Sequence, residues 1–274
     1  MPKIAIFQSR SGIDPDVNAA ALAEAIARAA DGGAKMLFTP EMSGLLDADR
    51  ERAAGSVRSE HEDAVLAAVR KAAKASGIWV HLGSLALRGT SGKLANRSFV
   101  IDSTGAIAGR YDKMHLFDVD LPTGESWRES SAYEAGSEPV VVRGTPVGAL
   151  GLTICYDLRF PAIFERLSEA GAEVIAVPAA FTVPTGKAHW HVLLRARAIE
   201  AGLFVVAAAQ WGHHQDGRDT FGHSLVVDPW GEVLLDGGDG EKLVFVEIDM
   251  ARIAEVRSRI PVLRHRRTVG PVSD

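Results

Sequence analysis

The chain has 274 residues, of which 47% are hydrophobic and 24% are charged, and its formal net charge is −5. These proportions are typical of a globular protein with a substantial core, and the acidic balance argues against a nucleic-acid partner, which usually requires a basic face. No apolar run reaches the roughly 18 residues of a membrane span, so we expect no membrane partner.

The N-terminus and the cysteine count both predict a cytoplasmic location. The opening residues, MPKIAIFQ, lead directly into a strand pattern and lack the basic, apolar and small-residue succession of a signal peptide. Cys155 is the only cysteine, which excludes an intrachain disulfide and suits a reducing compartment.

The first half of the chain alternates β-rich runs with helical patterns. A strand at residues 3–8 precedes Asp14 and Pro15, which are typical of the N-cap and first turn of a helix that ends at Gly32. The next predicted elements are a strand at 36–41, a helix at 62–77, strands at 78–87 and 96–103, and a strand at 106–113.

The second half repeats this arrangement. Its predicted elements are a strand ending at Cys155, a helix at 161–170, a strand at 173–180, a helix at 188–202, a strand at 204–210, a hairpin at 224–238 and a strand at 242–249. FVIDSTGAIAG (99–109) and LVVDPWGEVLL (225–235) share an apolar strand, an aspartate, a turn and a second strand. This duplication predicts an α/β fold of two packed sheets flanked by helices. Because no linker separates the halves, we expect one domain over 1–274 with a basic C-terminal tail.

The segment GLTICYDLRFP is a candidate for a catalytic turn. An apolar run from Val147 to Ile154 breaks at Cys155 into a polar turn, and Pro161 is typical of a helix start. A turn after a strand would lift the thiol out of the sheet, and a nearby helix N-terminus would favour the thiolate. The alternative is that this cysteine is only a small buried hydrophobic residue.

Two charged residues also follow predicted strands. Glu41 closes the run MLFTP, and Lys113 closes GRYDK. Each residue alone is equally consistent with an exposed or capping role. Together with Cys155 they supply a base, an anion stabiliser and a nucleophile, which are the groups that acyl transfer requires.

Five strings, in chain order, carry a family resemblance: TPE (39–41), RYDKMHLFDVD (110–120), CYDLRFP (155–161), PTGKAHWHVLLRARAIE (184–200) and GHSLVVDPWG (222–231). With them the chain resembles the nitrilase, or carbon–nitrogen hydrolase, superfamily, and it is most similar to the branch that acts on deaminated glutathione. The resemblance implies a four-layer α-β-β-α sandwich, no cofactor, no metal, and self-association through the helix that follows the cysteine strand.

The resemblance also implies residue roles. Cys155 matches the family nucleophile, Glu41 the general base, and Lys113 the lysine that stabilises the tetrahedral oxyanion. Glu129 lies where the family has a second glutamate, although Glu125 is an alternative because the length of this loop varies. Tyr156 would contribute its backbone N–H to the oxyanion hole. The loop PTGESWRE departs from the shorter family loop, which leaves the fit of the substrate open.

Substrate binding is assigned to three further residues. Arg159 is the candidate partner for an acidic acyl group, although it could instead pair with Asp157. Thr185 and His189 lie in a predicted loop that lines the family's pocket, and His189 could equally bond a helix start. The expected small-molecule substrate is deaminated glutathione, cleaved to 2-oxoglutarate and cysteinylglycine. The alternatives are an ω-amidase acting on 2-oxoglutaramate and an N-carbamoyl amide hydrolase.

Two other functional classes are weaker. The histidines suggest a metallohydrolase, but the pair His189 and His191 points to different faces of a helix, and no HExxH or CxxC spacing occurs. A non-enzymatic scaffold is disfavoured because Glu41, Lys113 and Cys155 are all present. We also expect a homodimer or a higher homo-oligomer, because the two helical stretches after Cys155 carry apolar residues on more than one face.

Overall fold

The computed structural model describes residues 1–89, 91–120, 124, 126–270 and 272. The strands are, in chain order, β1 (Lys3–Gln8), β2 (Met36–Phe38), β3 (Trp79–Arg88), β4 (Leu94–Ile101), β5 (Ile107–Asp112), β6 (Asp118–Asp120), β7 (Ser126–Arg128), β8 (Val140–Thr145), β9 (Gly148–Leu152), β10 (Val174–Ala176), β11 (Phe204–Ala207), β12 (Trp211–His213), β13 (Asp219–Phe221), β14 (Leu225–Val227), β15 (Val233–Asp236) and β16 (Lys242–Glu247). The helices are α1 (Pro15–Asp31), α2 (Arg50–Ser56), α3 (Ala64–Ser76), α4 (Pro161–Glu169), α5 (Val183–Ala201), α6 (Ala251–Arg259) and α7 (Val262–His265). Short 3-10 turns cover Glu129–Ser131 and Cys155–Arg159.

The two large sheets have the same topology. The first is six-stranded in the order β16-β1-β2-β3-β4-β5, and the second is six-stranded in the order β15-β14-β11-β10-β9-β8. In each sheet three consecutive strands are parallel, and the remaining pairings are antiparallel. The predicted duplication is therefore confirmed at the level of strand order and direction.

The two related hairpins turn by the same local chemistry. Asp102 accepts hydrogen bonds from the amides two and four residues later, at 2.8 and 2.9 Å, between β4 and β5. Asp228 accepts from the equivalent amides, at 2.9 and 2.8 Å, between β14 and β15. Gly105 and Gly231 follow three residues after these aspartates with φ of 81° and 87°, a region that favours glycine. The sequence similarity of the hairpins thus reflects a shared turn.

The layers follow from the alternation of side chains along the central strands. On β1, Ile4 and Ile6 face the second sheet in one apolar cluster, whereas Ala5 and Phe7 belong to the cluster beneath α1 and α3. Helices α4 and α5 pack on the outer face of the second sheet. The result is the expected four-layer α-β-β-α sandwich. Within the described residues, no helix combines the length and the apolar character needed to cross a membrane.

Helix boundaries test the predicted caps. The Asp14 carboxylate accepts from the second helical amide of α1 at 2.9 Å, and Gly77 ends α3 with φ of 63°, both as expected. Helix α5 begins at Val183, earlier than the predicted start at 188, because Pro184 occupies its first turn, where proline is tolerated. The prediction that Thr185 and His189 lie in a loop before this helix is therefore wrong.

Candidate active site

Cys155 begins the 3-10 turn that follows β9, as the sequence predicts. Its backbone φ of 50° is unusual for a residue with a side chain, and its N–H donates to the carbonyl of Pro178 at 2.9 Å. The side chain is buried, with an exposed fraction of 7%. A strained conformation held by a buried backbone bond is a common feature of functional sites.

We expected the N-terminus of helix α4 to favour the thiolate form of Cys155, but other groups determine the pKa of this thiol. Burial, followed by the negative charge of Glu41, raises the pKa of Cys155 well above its ordinary value. The Glu41 carboxylate and the Cys155 thiol are close enough for each to shift the pKa of the other. Cys155 is therefore a neutral thiol beside a carboxylate, and a base would have to remove its proton before the sulfur could act as a nucleophile.

Glu41 follows β2 and is held by three donors. Its Oε1 accepts from Lys113 Nζ at 2.9 Å and from Asn96 Nδ2 at 3.0 Å, and its Oε2 accepts from the Ala180 amide at 3.0 Å. Burial alone would raise the pKa of Glu41, but the Lys113 ammonium, together with smaller contributions from Cys155 and Asn96, lowers the pKa overall. Glu41 is therefore ionised and able to accept a proton.

A close backbone contact positions this carboxylate. A Cβ added to Gly83 on β3 would lie 2.1 Å from the Thr39 carbonyl oxygen and 2.3 Å from that of Pro40. The Gly83 amide donates to Thr39 Oγ1 at 3.0 Å. Glycine thus lets the segment that leads into Glu41 lie directly against β3.

Lys113 follows β5 and has an exposed fraction of 2%. Its Nζ lies 2.9 Å from Glu129 Oε2 and 2.9 Å from Glu41 Oε1. Burial would lower the pKa of Lys113, but the charges of Glu129 and Glu41 raise it well above its ordinary value. The ammonium is therefore fixed between two carboxylates in a dry environment.

Glu129 is the second glutamate that contacts Lys113 among the described residues. Besides Lys113, it accepts a hydrogen bond from the Phe117 amide at 2.7 Å. Glu125, the alternative, lies outside the described residues. Sequence reasoning missed Asn96 on β4, whose amide group donates to Glu129 at 3.2 Å as well as to Glu41. The sequence offered little signal for it, because Asn96 is followed in β4 by two more polar residues, Arg97 and Ser98.

Asp157 holds the cysteine turn rather than pairing with Arg159. Its carboxylate accepts from the Tyr111 hydroxyl at 2.7 Å, from the Ile154 amide at 2.8 Å and from the His115 amide at 3.0 Å. The alternative role suggested for Arg159, a structural pair with Asp157, is therefore wrong. Asp157 instead joins the turn to the segment that follows Lys113.

The catalytic candidates surround one cavity of about 760 Å³. The lining includes every predicted site residue except His189, namely Glu41, Lys113, Glu129, Cys155, Tyr156, Arg159 and Thr185. The Tyr156 N–H has no hydrogen-bond acceptor among the described residues, as expected for the first turn of a helix. It is therefore available to an anion.

Arg159, one of the predicted binding residues, carries a positive charge that is available to bind an anion. Its guanidinium lies over the rings of Tyr156 and Phe181, at 5.9 and 5.5 Å, and has no carboxylate partner in the described part of the chain. His189 Nδ1 lies 3.2 Å from Arg159 Nη1, so this histidine supports the arginine from outside the cavity. Thr185 bonds Thr182 through its hydroxyl at 2.8 Å.

Sequence reasoning also missed Arg218, a further basic residue that lines the cavity. Arg218 lies 2.7 Å from Asp216 and 4.9 Å from the centre of the Trp127 ring, and all three line the cavity.

Of the described side chains, the group of three that could hold a metal is His191, His223 and Asp236, which lies outside this cavity. The cavity brings together a thiol, a carboxylate and an ammonium, the groups that acyl transfer requires.

Known proteins are similar to this chain in both sequence and fold. The model of the carbon–nitrogen hydrolase family matches residues 3–258. The chain is 39% identical to the deaminated glutathione amidase of Yersinia enterocolitica over 97% of its own length and 93% of that protein. It is 37% identical to the human deaminated glutathione amidase over 97% of its own length and 83% of that protein.

Solved structures agree with the architecture. The crystal structure of the Caenorhabditis elegans NitFhit protein superposes with a TM-score of 0.89 at 38% identity, covering 97% of this chain and 65% of that one. The chain therefore spans under two thirds of NitFhit. A mutant amidase from Nesterenkonia sp. AN1, in which acrylamide has added to the active-site cysteine, superposes with a TM-score of 0.78 at 27% identity over 95% of this chain and 98% of that one.

Proposed function

The chain belongs to the carbon–nitrogen hydrolase family, and from that premise we propose that it hydrolyses deaminated glutathione to 2-oxoglutarate and cysteinylglycine. The observation that carries the proposal is the identity of 37 to 39% with deaminated glutathione amidases over 97% of the chain. The arrangement of Glu41, Lys113 and Cys155 around one cavity supplies the chemistry.

The reaction begins with proton transfer from the thiol. Glu41, ionised and beside Cys155, takes the proton as sulfur attacks the amide carbonyl. The carbonyl oxygen becomes an oxyanion, stabilised by the Lys113 ammonium and the Tyr156 N–H. Because Lys113 is buried and already held by its carboxylates, it stabilises this charge with little reorganisation.

The intermediate then collapses in two balanced steps. Glu41 returns its proton to the leaving nitrogen, the C–N bond breaks, and a thioester remains on Cys155. Water then attacks the thioester carbonyl while Glu41 takes one of its protons. The C–S bond breaks, the acid is released, and the proton on Glu41 returns to sulfur. No cofactor enters this scheme.

Arg159 supports the choice of an acidic acyl group. The 2-oxoglutaryl group carries a carboxylate, and an arginine without a competing carboxylate is a suitable partner for it. The aromatic rings of Tyr156 and Phe181 restrict the guanidinium to the cavity wall. His189 acts through Arg159, which it contacts at 3.2 Å.

Turnover on a substrate panel tests the proposal. We expect kcat/KM for deaminated glutathione to exceed that for 2-oxoglutaramate, N-carbamoyl amino acids and simple nitriles. Arg159→Lys should raise KM for the acidic substrates, because it removes the planar fork that binds a carboxylate through two hydrogen bonds. A tenfold preference for 2-oxoglutaramate, about 1.4 kcal/mol in transition-state binding, would assign the chain to the ω-amidases.

We also propose that residues 1–274 act as a single cytoplasmic domain and that the active form is at least a homodimer. Helix α5 exposes Val192 and Ile199 by 68% and 47%, which favours a second copy on this face. Val192→Asp should produce monomers with reduced activity, since α5 contacts the Cys155 turn. Val17→Asp, at a 63% exposed position on α1, is the matched control. Light scattering that finds a fully active species of 29.2 kDa would contradict this assembly.

A further inference from the structure

A second group of polar side chains lies away from the catalytic cavity. His191 is on α5, His223 lies between β13 and β14, and Asp236 ends β15. His191 Nε2 is 2.9 Å from Asp236 Oδ2, and His223 Nδ1 is 2.9 Å from Asp236 Oδ1. One ligand atom from each residue lies within 4.8 Å of the other two. Three elements distant in the sequence thus direct their donor atoms toward one point.

The surrounding structure fixes these side chains. His223 has a left-handed φ of 53°, and its ring stacks on Phe221 at 4.4 Å. The His223 carbonyl accepts from Trp190 Nε1 at 2.8 Å, and Asp236 Oδ1 also accepts from the Gly238 amide at 2.8 Å. Little rotamer freedom remains to be lost when a ligand binds.

The group is open to solvent. The exposed fractions of the side chains are 36% for His191, 26% for His223 and 35% for Asp236. An ion could therefore reach all three from one side, and water could complete its coordination. None of the three lines the catalytic cavity as the described residues define it.

The donor set is chemically selective. Two imidazole nitrogens and one carboxylate oxygen are ligands of zinc and similar transition metals, whereas Mg²⁺ and Ca²⁺ prefer oxygen alone. Zinc bonds of about 2.0–2.2 Å place tetrahedral ligands about 3.3 Å apart. The two histidine–aspartate pairs, now 2.9 Å apart, would open slightly around an ion, and all three ligand atoms already lie within 4.8 Å of one another. A neutral imidazole carries its single proton on either nitrogen, which leaves a lone pair for the ion.

We propose that His191, His223 and Asp236 form a binding site for a zinc-class divalent transition-metal ion, separate from the catalytic cavity. The ion would replace the two histidine–aspartate hydrogen bonds and join α5, the β13–β14 connection and β15. Its expected effect is on the stability of this corner of the second sheet, since binding to the folded state alone stabilises it. The catalytic steps do not pass through it.

Titration calorimetry with Zn²⁺ on the chelator-treated full chain tests the site. A Cys155→Ala background removes the only thiol, which could itself bind zinc. We expect one ion per chain, binding weakened by at least roughly 10- to 100-fold in His191→Ala and Asp236→Asn, and no competition from equimolar Mg²⁺. Both substitutions are at partly exposed positions, and asparagine retains an acceptor for the Gly238 amide.

His213→Ala is the matched control, because His213 pairs with Asp219 at 3.0 Å without a second imidazole. It should bind zinc as the parent chain does. Zinc should also raise the melting temperature of the parent and of His213→Ala, but not of Asp236→Asn. Absence of zinc binding, or equal affinity in the parent, His191→Ala and Asp236→Asn, would overturn the proposal.

Discussion

The segments after β2 and β10 occupy equivalent places in the two sheets, because each strand is the middle one of three parallel strands. After β2 the chain contributes a side chain, the Glu41 carboxylate. After β10 it contributes backbone: the Pro178 carbonyl accepts from Cys155, and the Ala180 amide donates to Glu41. Both halves of the duplication thus contribute to one site, with a side chain after β2 and backbone groups after β10.

The ends of β1 and β9 differ in the same way. Gln8 ends β1 and is fully buried, with its Oε1 accepting from the Ser224 amide at 2.7 Å and its Nε2 donating to the Gly238 carbonyl at 2.8 Å. Cys155 follows β9 in a left-handed conformation and lines the cavity. The duplicated strand order determines where each residue lies. The identity of the side chain determines whether it forms buried structural hydrogen bonds, as Gln8 does, or lines the cavity, as Cys155 does.

Substitution at these two equivalent places should separate the roles. Cys155→Ala should retain the fold and abolish turnover, because alanine leaves no nucleophile. Gln8→Ala should lower stability by leaving buried groups unbonded, yet still form the acyl-enzyme. Mass spectrometry of quenched reactions should show the adduct on Cys155 in the parent and in Gln8→Ala. Appreciable activity in Cys155→Ala would refute the proposed mechanism.

The charged residues after β2 and β5 should be intolerant even of conservative change. Lys113→Arg should lower kcat by about a hundredfold or more, because a guanidinium cannot reproduce a compact ammonium held between two carboxylates. Lys71→Arg, on the exposed face of α3, is the control and should be unaffected. Steady-state kinetics measures both variants, and a loss of less than about threefold in Lys113→Arg would remove Lys113 from the oxyanion site.

The approach of β2 to β3 can be tested by adding one methyl group. Gly83→Ala should destabilise the fold by about 1–3 kcal/mol, because the new Cβ meets backbone oxygens that cannot move independently. It should also displace Glu41 and lower activity. Gly55→Ala on α2, where an added Cβ meets nothing within 4 Å, should be neutral or stabilising. Urea unfolding compares the two, and equal midpoints would show that the close approach is not required.

The smallest expected effect is on the pH profile. Asn96 helps to lower the pKa of Glu41, so Asn96→Asp, which removes a donor and adds negative charge, should raise that pKa. Since the base must be ionised, the acidic limb of kcat/KM should move to higher pH. Asn96→Ala should move it in the same direction by less. An unchanged acidic limb in both variants would show that Asn96 does not influence the base.

Local sequence patterns predicted much of this molecule. The caps at Asp14 and Gly77 involve contacts a few residues apart, and so do the turns at Asp102 and Asp228. Strand ends are visible in the same way, which is why Cys155 and the two charged residues were found. The start of α5 was predicted five residues too late, because the proline and glycine of PTGK are typical of a loop. Proline is also favoured in the first turn of a helix, and that is its position here.

Contacts between segments that are far apart in the sequence could not be predicted from local patterns. Asn96 meets Glu41 across 55 positions of the chain, and Asp157 bonds Tyr111 rather than Arg159. The sequence by itself determined the elements, the duplicated plan and the chemical types at the strand ends, because these depend on short-range backbone preferences and apolar periodicity. Only the tertiary structure decided which polar groups meet, since that depends on strand order, register and the packing of two sheets across the whole chain.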